Sequence, residues 1–351
     1  METEGGPLKA LGFRAHGGPE AATVLEVPEP FPGPGEVKIA VRAAGLNHLD
    51  LFTLQGLPGV EVPLPHILAG DGSGVVLEVG EGVTDWRKGD RVLVDPSLPD
   101  GTCEYCLRGL ECFCRNYRIL GEHTQGVASE FAVLPAENVR PLPPSLDFET
   151  GGCAALVFMT AYRALYTVGE LRGNDQVAII GAGGGLATAA IQLAHLRGAR
   201  VVVVTGSAEK GERTRALGAD EVIFRSRGSE VDRELWRASG KRGFDVVFDP
   251  TGEATFAGSA RALARGGRLV FCGATAGPMV TVDLRPLFWR GASLRGSTMA
   301  TRQEFTEVLS LLRAGAVRPV VDQVFPLEEG PAALRRLARG DLFGKLVLKP
   351  A

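Results

Sequence analysis

The chain is short of several features whose absence narrows its function. No apolar run approaches the eighteen or more residues that a membrane-spanning helix needs, and METEGGPLKA has no cationic stretch leading into an apolar core. Neither a membrane span nor a secretory signal is expected, and the cytoplasm is the default location. Neither sign of charge dominates: 38 basic and 41 acidic residues leave a net charge of -3, so the chain lacks the basic field that holds nucleic acid or an anionic membrane. Histidine is scarce, and His66, His123 and His195 lack the spacing of a metal site. Cysteine is scarce too, but four of the six fall within the twelve residues from Cys103 to Cys114. Local clustering in a chain of this size points to metal ligands rather than a disulfide framework. No internal repeat or low-complexity segment is visible.

What is present reads as two domains, the expected number for 351 residues. The first third is rich in turn residues and short alternating runs; in EVKIAVRAAGL, Val37, Ile39 and Val41 share one strand face. From about Asp175 the period changes. QVAIIG is a fully apolar strand, GAGGG a tight turn, LATAAIQLAHLRGA a helix with Leu186, Ala190, Leu193 and Ala194 on one stripe, and RVVVVTG a second buried strand. Strand, turn, helix and strand form a βαβ unit whose right-handed crossover makes the strands parallel neighbours. Alternation continues through AEKGERTRALGAD, EVIF, FDVVFDPTG, TFAGSARALARGG, RLVFCG and ASLRGST, and RQEFTEVLSLLRAG places Phe305, Val308, Leu309 and Leu312 on one helical face. The fold class is α/β, with a doubly wound domain inserted in a β-rich one.

A glycine turn between a buried strand and a helix lets a pyrophosphate approach backbone N–H groups at the helix N-terminus. Here the turn contains Gly181, Ala182, Gly184, Gly185 and Leu186, with Ala187 at the helix-packing position. About twenty residues on, where NAD binders carry a carboxylate, the chain has Thr205, Gly206 and Ser207. Nothing there repels a 2′-phosphate; Ser207 can donate a hydrogen bond, and Lys210 and Arg225 can pair with the charge. NADP(H) is therefore preferred, with NAD(H) still possible through Glu209 on the ribose.

At this point GLNHLDLF, AGDGSGVVLEVGEGVTDWRKGDRV, the cysteine lobe, the glycine turn, LGADEVI and FGKLVLKP together resemble the medium-chain dehydrogenase/reductase superfamily over essentially the whole chain. The resemblance implies a GroES-like catalytic domain over 1–156, including the lobe at 96–118, a Rossmann domain over 157–295, and a return to the first domain over 296–351. It also implies dimers or tetramers joined through the last Rossmann strand, near Ala292 to Gly296. At the three principal positions of the family's catalytic zinc ligands stand Asn47, Gly70 and Leu156, none of them a plausible ligand, and the proton-relay hydroxyl falls on Leu49. No catalytic zinc is expected. The branch that the sequence is similar to is that of zinc-free quinone and enone reductases, although Phe52 replaces their tyrosine.

Asn47 and His48 are the candidate catalytic residues, Asn47 offering its amide to the substrate oxygen or the ribose and His48 serving as proton donor or pyrophosphate contact. Asp50 and Asp71 hold local structure. By the resemblance, Thr160 contacts the cofactor; Thr251, Gly252, Cys272, Gly273, Ala274, Ser297 and Thr298 follow Rossmann strands on the side where ligands sit, and Lys345 is assigned with them. Cys153 and Cys272 read as small packed residues. Phe52, Leu54, Phe158 and Trp289 suggest an apolar substrate pocket. The family's structural-zinc spacing places ligands at Asp100, Cys103, Cys106 and Cys114, with Cys112 as an alternative fourth ligand, and a structural zinc is expected. The reading is an NAD(P)H-dependent reductase of activated C=C bonds in small enones, enals or quinones. The alternatives are a zinc-independent carbonyl/alcohol oxidoreductase and, in another class, a non-catalytic nucleotide-binding sensor or scaffold.

Overall fold

The computed structural model describes residues 6–225 and 231–351. The chain divides into two compact units, one formed by Met1–Leu156 with Arg318–Ala351 and the other by Val157–Val317. Among the described residues no helix is long and apolar enough to cross a membrane.

The first unit is built on a seven-stranded sheet whose centre is Glu36–Gly45, flanked by Asp71–Val79 and Lys345–Lys349. Alternation in EVKIAVRAAG aims Val37, Ile39 and Val41 into the core, each at most 2% exposed. Antiparallel pairing brings Gly45 opposite both Asp71 and Val347. The chain leaves Gly45 through Leu46 and Asn47 directly into the helix His48–Gln55. Residues far apart in sequence, at 47, 71 and 345, thus meet at one end of the sheet.

The second unit holds a six-stranded parallel sheet in the order Glu221–Phe224, Arg200–Thr205, Gln176–Ile180, Phe244–Phe248, Leu263–Phe271 and Ser293–Gly296. Covered on both faces, such strands need continuous apolar sequence; Val177 to Ile179 and Val201 to Val203 are fully buried. The strand order reverses beside Gln176–Ile180, the switch point at which doubly wound sheets take their ligands. The expected α/β class, with a β-rich unit interrupted by a doubly wound one, is the observed architecture.

Two boundaries differ from expectation. The strand read as RLVFCG begins earlier, at Leu263. The return to the first unit comes at Arg318 rather than 296. The helix Arg302–Arg313 belongs to the second unit because it buries Phe305, Val308 and Leu312 and ties its Glu304 carboxylate to Arg163, at 2.9 and 3.0 Å, and to Thr167. A buried, bidentate pair of this kind fixes the helix where its partner lies.

Candidate active site

In the first unit, the positions read as vacated metal ligands are filled by a buried polar cluster. The Asn47 Nδ2 group donates to Asp71 Oδ2 at 2.9 Å and to Gly45 O at 3.3 Å, while Lys345 Nζ donates to Asn47 Oδ1 and, at 3.2 Å, to Asp71 Oδ2. The orientation of the amide is dictated by its neighbours, since an ammonium can only donate and a carboxylate only accept. Asp71 Oδ1 accepts from Leu156 N at 2.8 Å. Asp50 Oδ2 accepts from Asn47 N at 2.7 Å, and its Oδ1 from Ala69 N at 2.8 Å. Burial pushes the Asp50 carboxyl up to about 6, against the pull of those two N–H groups and of Lys345. Asn47, Asp50, Asp71 and Lys345 are all at most 6% exposed.

These contacts revise two expectations. Both ends of the Asn47 amide are engaged within the unit, so it acts as a spacer between charges rather than an open hydrogen-bonding group for substrate. Lys345, expected at the cofactor, directs its ammonium to Asn47 and Asp71. Asp50 and Asp71 do hold local structure. His48, the first residue of the helix, is exposed, and its ring meets Phe52 edge-on at 5.0 Å. Phe52 is half-buried.

Gly70 cannot be a ligand position for a second reason. A Cβ there would stand 2.6 Å from the Leu120 carbonyl oxygen and 3.3 Å from Pro96 Cβ. Main chain from the loop after Arg118–Ile119 fills the space a side chain would need. The residues present do not fit a catalytic zinc: Asn47 is spent, Gly70 is walled in, and Leu156 is hydrocarbon.

In the second unit, the parallel sheet lines up its carboxyl ends along one edge. There lie Gly181 to Leu186, Thr205 to Lys210, Arg225, Thr251 and Gly252, Cys272 to Ala274, and Ser297 and Thr298. Gly181 has φ +98, which favours glycine, and a Cβ at Gly181 or Gly184 would have nothing within 4 Å. Gly184 caps the helix Gly185–Leu196 without a side-chain bond. This open cradle at the N-terminus of a twelve-residue helix fits the pyrophosphate of a nicotinamide dinucleotide. The Ser297 Oγ is buried with no hydrogen-bond partner, a further polar atom available to a ligand.

Other candidates on that edge have local partners. The Ser207 Oγ accepts from Lys210 N at 3.3 Å and so caps the helix Ala208–Arg215. One Arg225 nitrogen, Nη2, donates to Ala254 O at 2.6 Å, while its Nε is buried and unpartnered. Thr160 Oγ1 reaches Met299 Sδ at 3.9 Å. Burial pushes the Cys153 thiol up to about 12, in keeping with a packed residue rather than a nucleophile. Leu54 and Phe158 are core residues, and Trp289, expected in a pocket, is exposed on the helix Leu284–Arg290 beside the exposed Phe288.

The cysteine lobe is the one group of metal-ligating side chains among the described residues. The ligand atoms of Asp100, Cys103, Cys106 and Cys114 all lie within 4.8 Å of one another, and Cys112 is outside the group. Asp100 Oδ1 accepts from Thr102 N and Cys103 N, both at 2.9 Å. Those N–H groups, Cys103 first, hold its carboxyl well below the usual carboxylate range. Desolvation and the neighbouring thiols and carboxylate push Cys106 up to about 12. A donor set of three thiols and a carboxylate this closely gathered suits a tetrahedral zinc.

Residues 33–144 match the alcohol dehydrogenase GroES-like domain and residues 185–314 the zinc-binding dehydrogenase domain. An acryloyl-coenzyme A reductase of Metallosphaera sedula is 35% identical over 97% of this chain and 99% of its own length. The chain belongs to the medium-chain dehydrogenase/reductase superfamily. As a medium-chain dehydrogenase/reductase it is an oxidoreductase. Among solved relatives, an NAD-dependent alcohol dehydrogenase is 41% identical with a TM-score of 0.92, covering 97% of this chain and 99% of that one. A crotonyl-CoA carboxylase/reductase in complex with NADP is 28% identical with a TM-score of 0.90, covering 98% of this chain and 94% of that one.

Two other buried acids carried no sequence signal. Asp249, fully buried after Phe244–Phe248, accepts from Thr251 N at 2.9 Å, Thr255 Oγ1 at 2.9 Å and Ser259 Oγ at 2.6 Å, and so fixes the Thr251–Gly252 turn. Glu122, beside the walled-in Gly70, belongs to no motif. Only its place in a loop bounded by Gly121 and Gly126, both laid against the Leu68–Gly70 main chain, sets it apart.

Proposed function

We propose that this medium-chain dehydrogenase/reductase transfers a hydride from NADPH to a C=C bond conjugated with a carbonyl. The substrate class is small enones, enals, quinones and acyl thioesters. The observation that carries this reading is the closed metal position: Asn47 is bonded at both ends of its amide and Gly70 faces the Leu120 carbonyl. A Lewis-acid metal lowers the barrier to alcohol–ketone interconversion by roughly several kcal/mol. A conjugated alkene needs less, because the charge spreads to an oxygen that one or two hydrogen bonds can hold. The acryloyl-coenzyme A reductase relative makes the enoyl thioester the first substrate to try.

The bound nicotinamide supplies the hydride. The chain's own residues do the rest: the open glycine turn seats the pyrophosphate, and the exposed His48 offers an imidazole N–H. The lack of a carboxylate at Thr205 to Ser207, together with Lys210 and Arg225, favours NADP(H). The lobe of Asp100, Cys103, Cys106 and Cys114 holds a structural zinc, with Asp100 rather than Cys112 as fourth ligand. Exposed Leu284, Phe288, Trp289 and Leu294 beside the edge strand Ser293–Gly296 support self-association to a dimer or tetramer through that edge.

A second reading, a carbonyl/alcohol oxidoreductase, is favoured by the 41% identity to an NAD-dependent alcohol dehydrogenase. One experiment separates the two. NADPH and NADH oxidation are followed across enoyl thioesters, enones, quinones, aldehydes and saturated ketones, with and without chelator. The proposal expects turnover of conjugated C=C bonds with NADPH that survives chelation; turnover confined to saturated ketones and lost on chelation favours the second reading.

A further inference from the structure

We infer that Asp249 is a positioning residue that holds the turn receiving the nicotinamide half of the dinucleotide, an inference that rests on the cofactor reading above. Sheet order decides which half lies where. The pyrophosphate belongs at the glycine turn after Gln176–Ile180, and the adenosine ribose at the end of the next strand in the chain, Arg200–Thr205. In the sheet, Arg200–Thr205 lies on one side of Gln176–Ile180 and Phe244–Phe248 on the other. A dinucleotide whose adenosine half points toward Arg200–Thr205 sends its other half across the switch point to the carboxyl end of Phe244–Phe248. The turn that follows there is 250–253.

Asp249 closes that strand end. Its N–H donates to Val270 O of the neighbouring strand at 2.9 Å, and its side chain is fully buried. Oδ1 accepts from Thr251 N and Thr255 Oγ1, each at 2.9 Å, and from Gly252 N at 3.4 Å; Oδ2 accepts from Ser259 Oγ at 2.6 Å. Two of these donors are main chain of the turn. The other two are hydroxyls beyond it, Thr255 just before the helix Phe256–Arg261 and Ser259 within it. All four are neutral, and a carboxylate draws such donors in more strongly than an amide oxygen does. One buried side chain thus ties the turn to the helix behind it.

The same turn is zipped to the loop that follows Leu263–Phe271. Ala276 N donates to Thr251 O at 2.8 Å, Glu253 N to Gly277 O at 3.0 Å and Thr275 N to Pro250 O at 3.4 Å. Gly252 has φ +87, and a Cβ there would stand 2.4 Å from Gly277 O, so the two main chains touch. Gly252 O accepts from Thr255 N at 3.0 Å and Phe256 N at 2.9 Å. Of the polar groups of Thr251 and Gly252, the Thr251 hydroxyl alone is left without a partner among the described residues. A second hydroxyl on this side is also unengaged: Ser297 N donates to Phe271 O at 2.8 Å, and its Oγ is buried with no partner. Both are open to a ligand. A turn pinned from beneath fixes where the nicotinamide ring stands, and hydride transfer depends steeply on that placement.

The test is Asp249→Asn in the full chain, which keeps the size and one acceptor oxygen but removes the charge. Binding of NADPH and of 2′,5′-ADP, which carries only the adenosine half, is measured by titration calorimetry, with NADH and ADP as the parallel pair. The wild type should bind both members of one pair. D249N should bind the adenosine fragment as the wild type does and the whole cofactor about tenfold more weakly. Equal weakening of fragment and cofactor would mean that Asp249 serves only the fold of the unit, and unchanged binding of both would mean that it does not hold the cofactor's turn. Either result overturns the inference and leaves the cofactor reading intact. A wild type that binds neither NADPH nor NADH would overturn that reading as well. If D249N does not fold, Ser259→Ala, which removes one donor outside the turn, replaces it. Cofactor binding weakened about threefold with fragment binding unchanged is then expected, and any other pattern counts against the proposal.

Discussion

The first unit carries two places where chains of this superfamily are expected to hold metal, and they have been treated in opposite ways. Around Asn47 and Gly70 no ligand side chain stands at the expected positions, main chain occupies the space, and the carboxylates there are balanced from inside by the Lys345 ammonium. In the cysteine lobe the four ligand atoms remain gathered within 4.8 Å, and the nearby cation, Arg115, is turned to the exposed Glu104 at 2.5 Å. The first place supplies its own counter-charge; in the second the proposed zinc would supply it. The difference teaches that a place without its metal still has to balance its buried acids: Asp71 is paired with Lys345 at 3.2 Å.

The comparison can be broken in several ways, the largest effect first. Lys345→Met should strand Asp71 and Asp50 without their cation and cost about 3–5 kcal/mol in urea unfolding; an unchanged midpoint would mean that the internal counter-charge is not what holds the cluster. Cys103→Ser should empty the lobe of zinc by metal analysis and cost on the order of 3 kcal/mol, while the kcat of the folded fraction stays at wild type. A loss of turnover greater than the loss of folded protein would contradict a purely structural metal. Gly70→His, combined with Asn47→Cys, should not recreate the other site: the new side chain meets the Leu120 carbonyl, costing about 1–3 kcal/mol, and no second zinc should appear.

The smallest effect concerns pH and stability. The Glu122 carboxyl lies at about 7, above its ordinary 4.5. The folded chain therefore binds this proton more tightly than the unfolded one, and the associated stability is lost as pH rises from about 4.5 through about 7. E122Q should flatten that decline and, at pH 8, unfold at a temperature no lower than wild type. A sharply less stable E122Q would instead argue that Glu122 serves the fold.

Local pattern made most of the fold legible. Apolar runs such as VAII and VVVV, the glycine turn and the 3.6-residue stripe of Arg302–Arg313 all lie where their periods require. What stayed illegible depends on contacts distant in sequence. The Asn47 amide is claimed by a lysine 298 positions away, and the unit to which Arg302–Arg313 belongs is set by Glu304 reaching back 141 positions to Arg163. The closed space at Gly70 comes from a carbonyl oxygen, which no side-chain pattern encodes. Trp289 and Phe288 show the same limit from the other side, since an aromatic on an exposed helix face reads like one in a pocket until burial is known. In the lobe, spacing offered Asp100 or Cys112, and only the geometry groups Asp100 with the three cysteines.

The most direct test of the central claim is product analysis after chelation. Enzyme treated with chelator is given NADPH and acryloyl-CoA in deuterated water, and the product is examined by mass spectrometry and NMR. The account predicts propionyl-CoA with one deuterium at the α-carbon, formed at the rate of untreated enzyme. Loss of turnover that returns with added zinc, or reduction only of the carbonyl of saturated aldehydes and ketones, would contradict it.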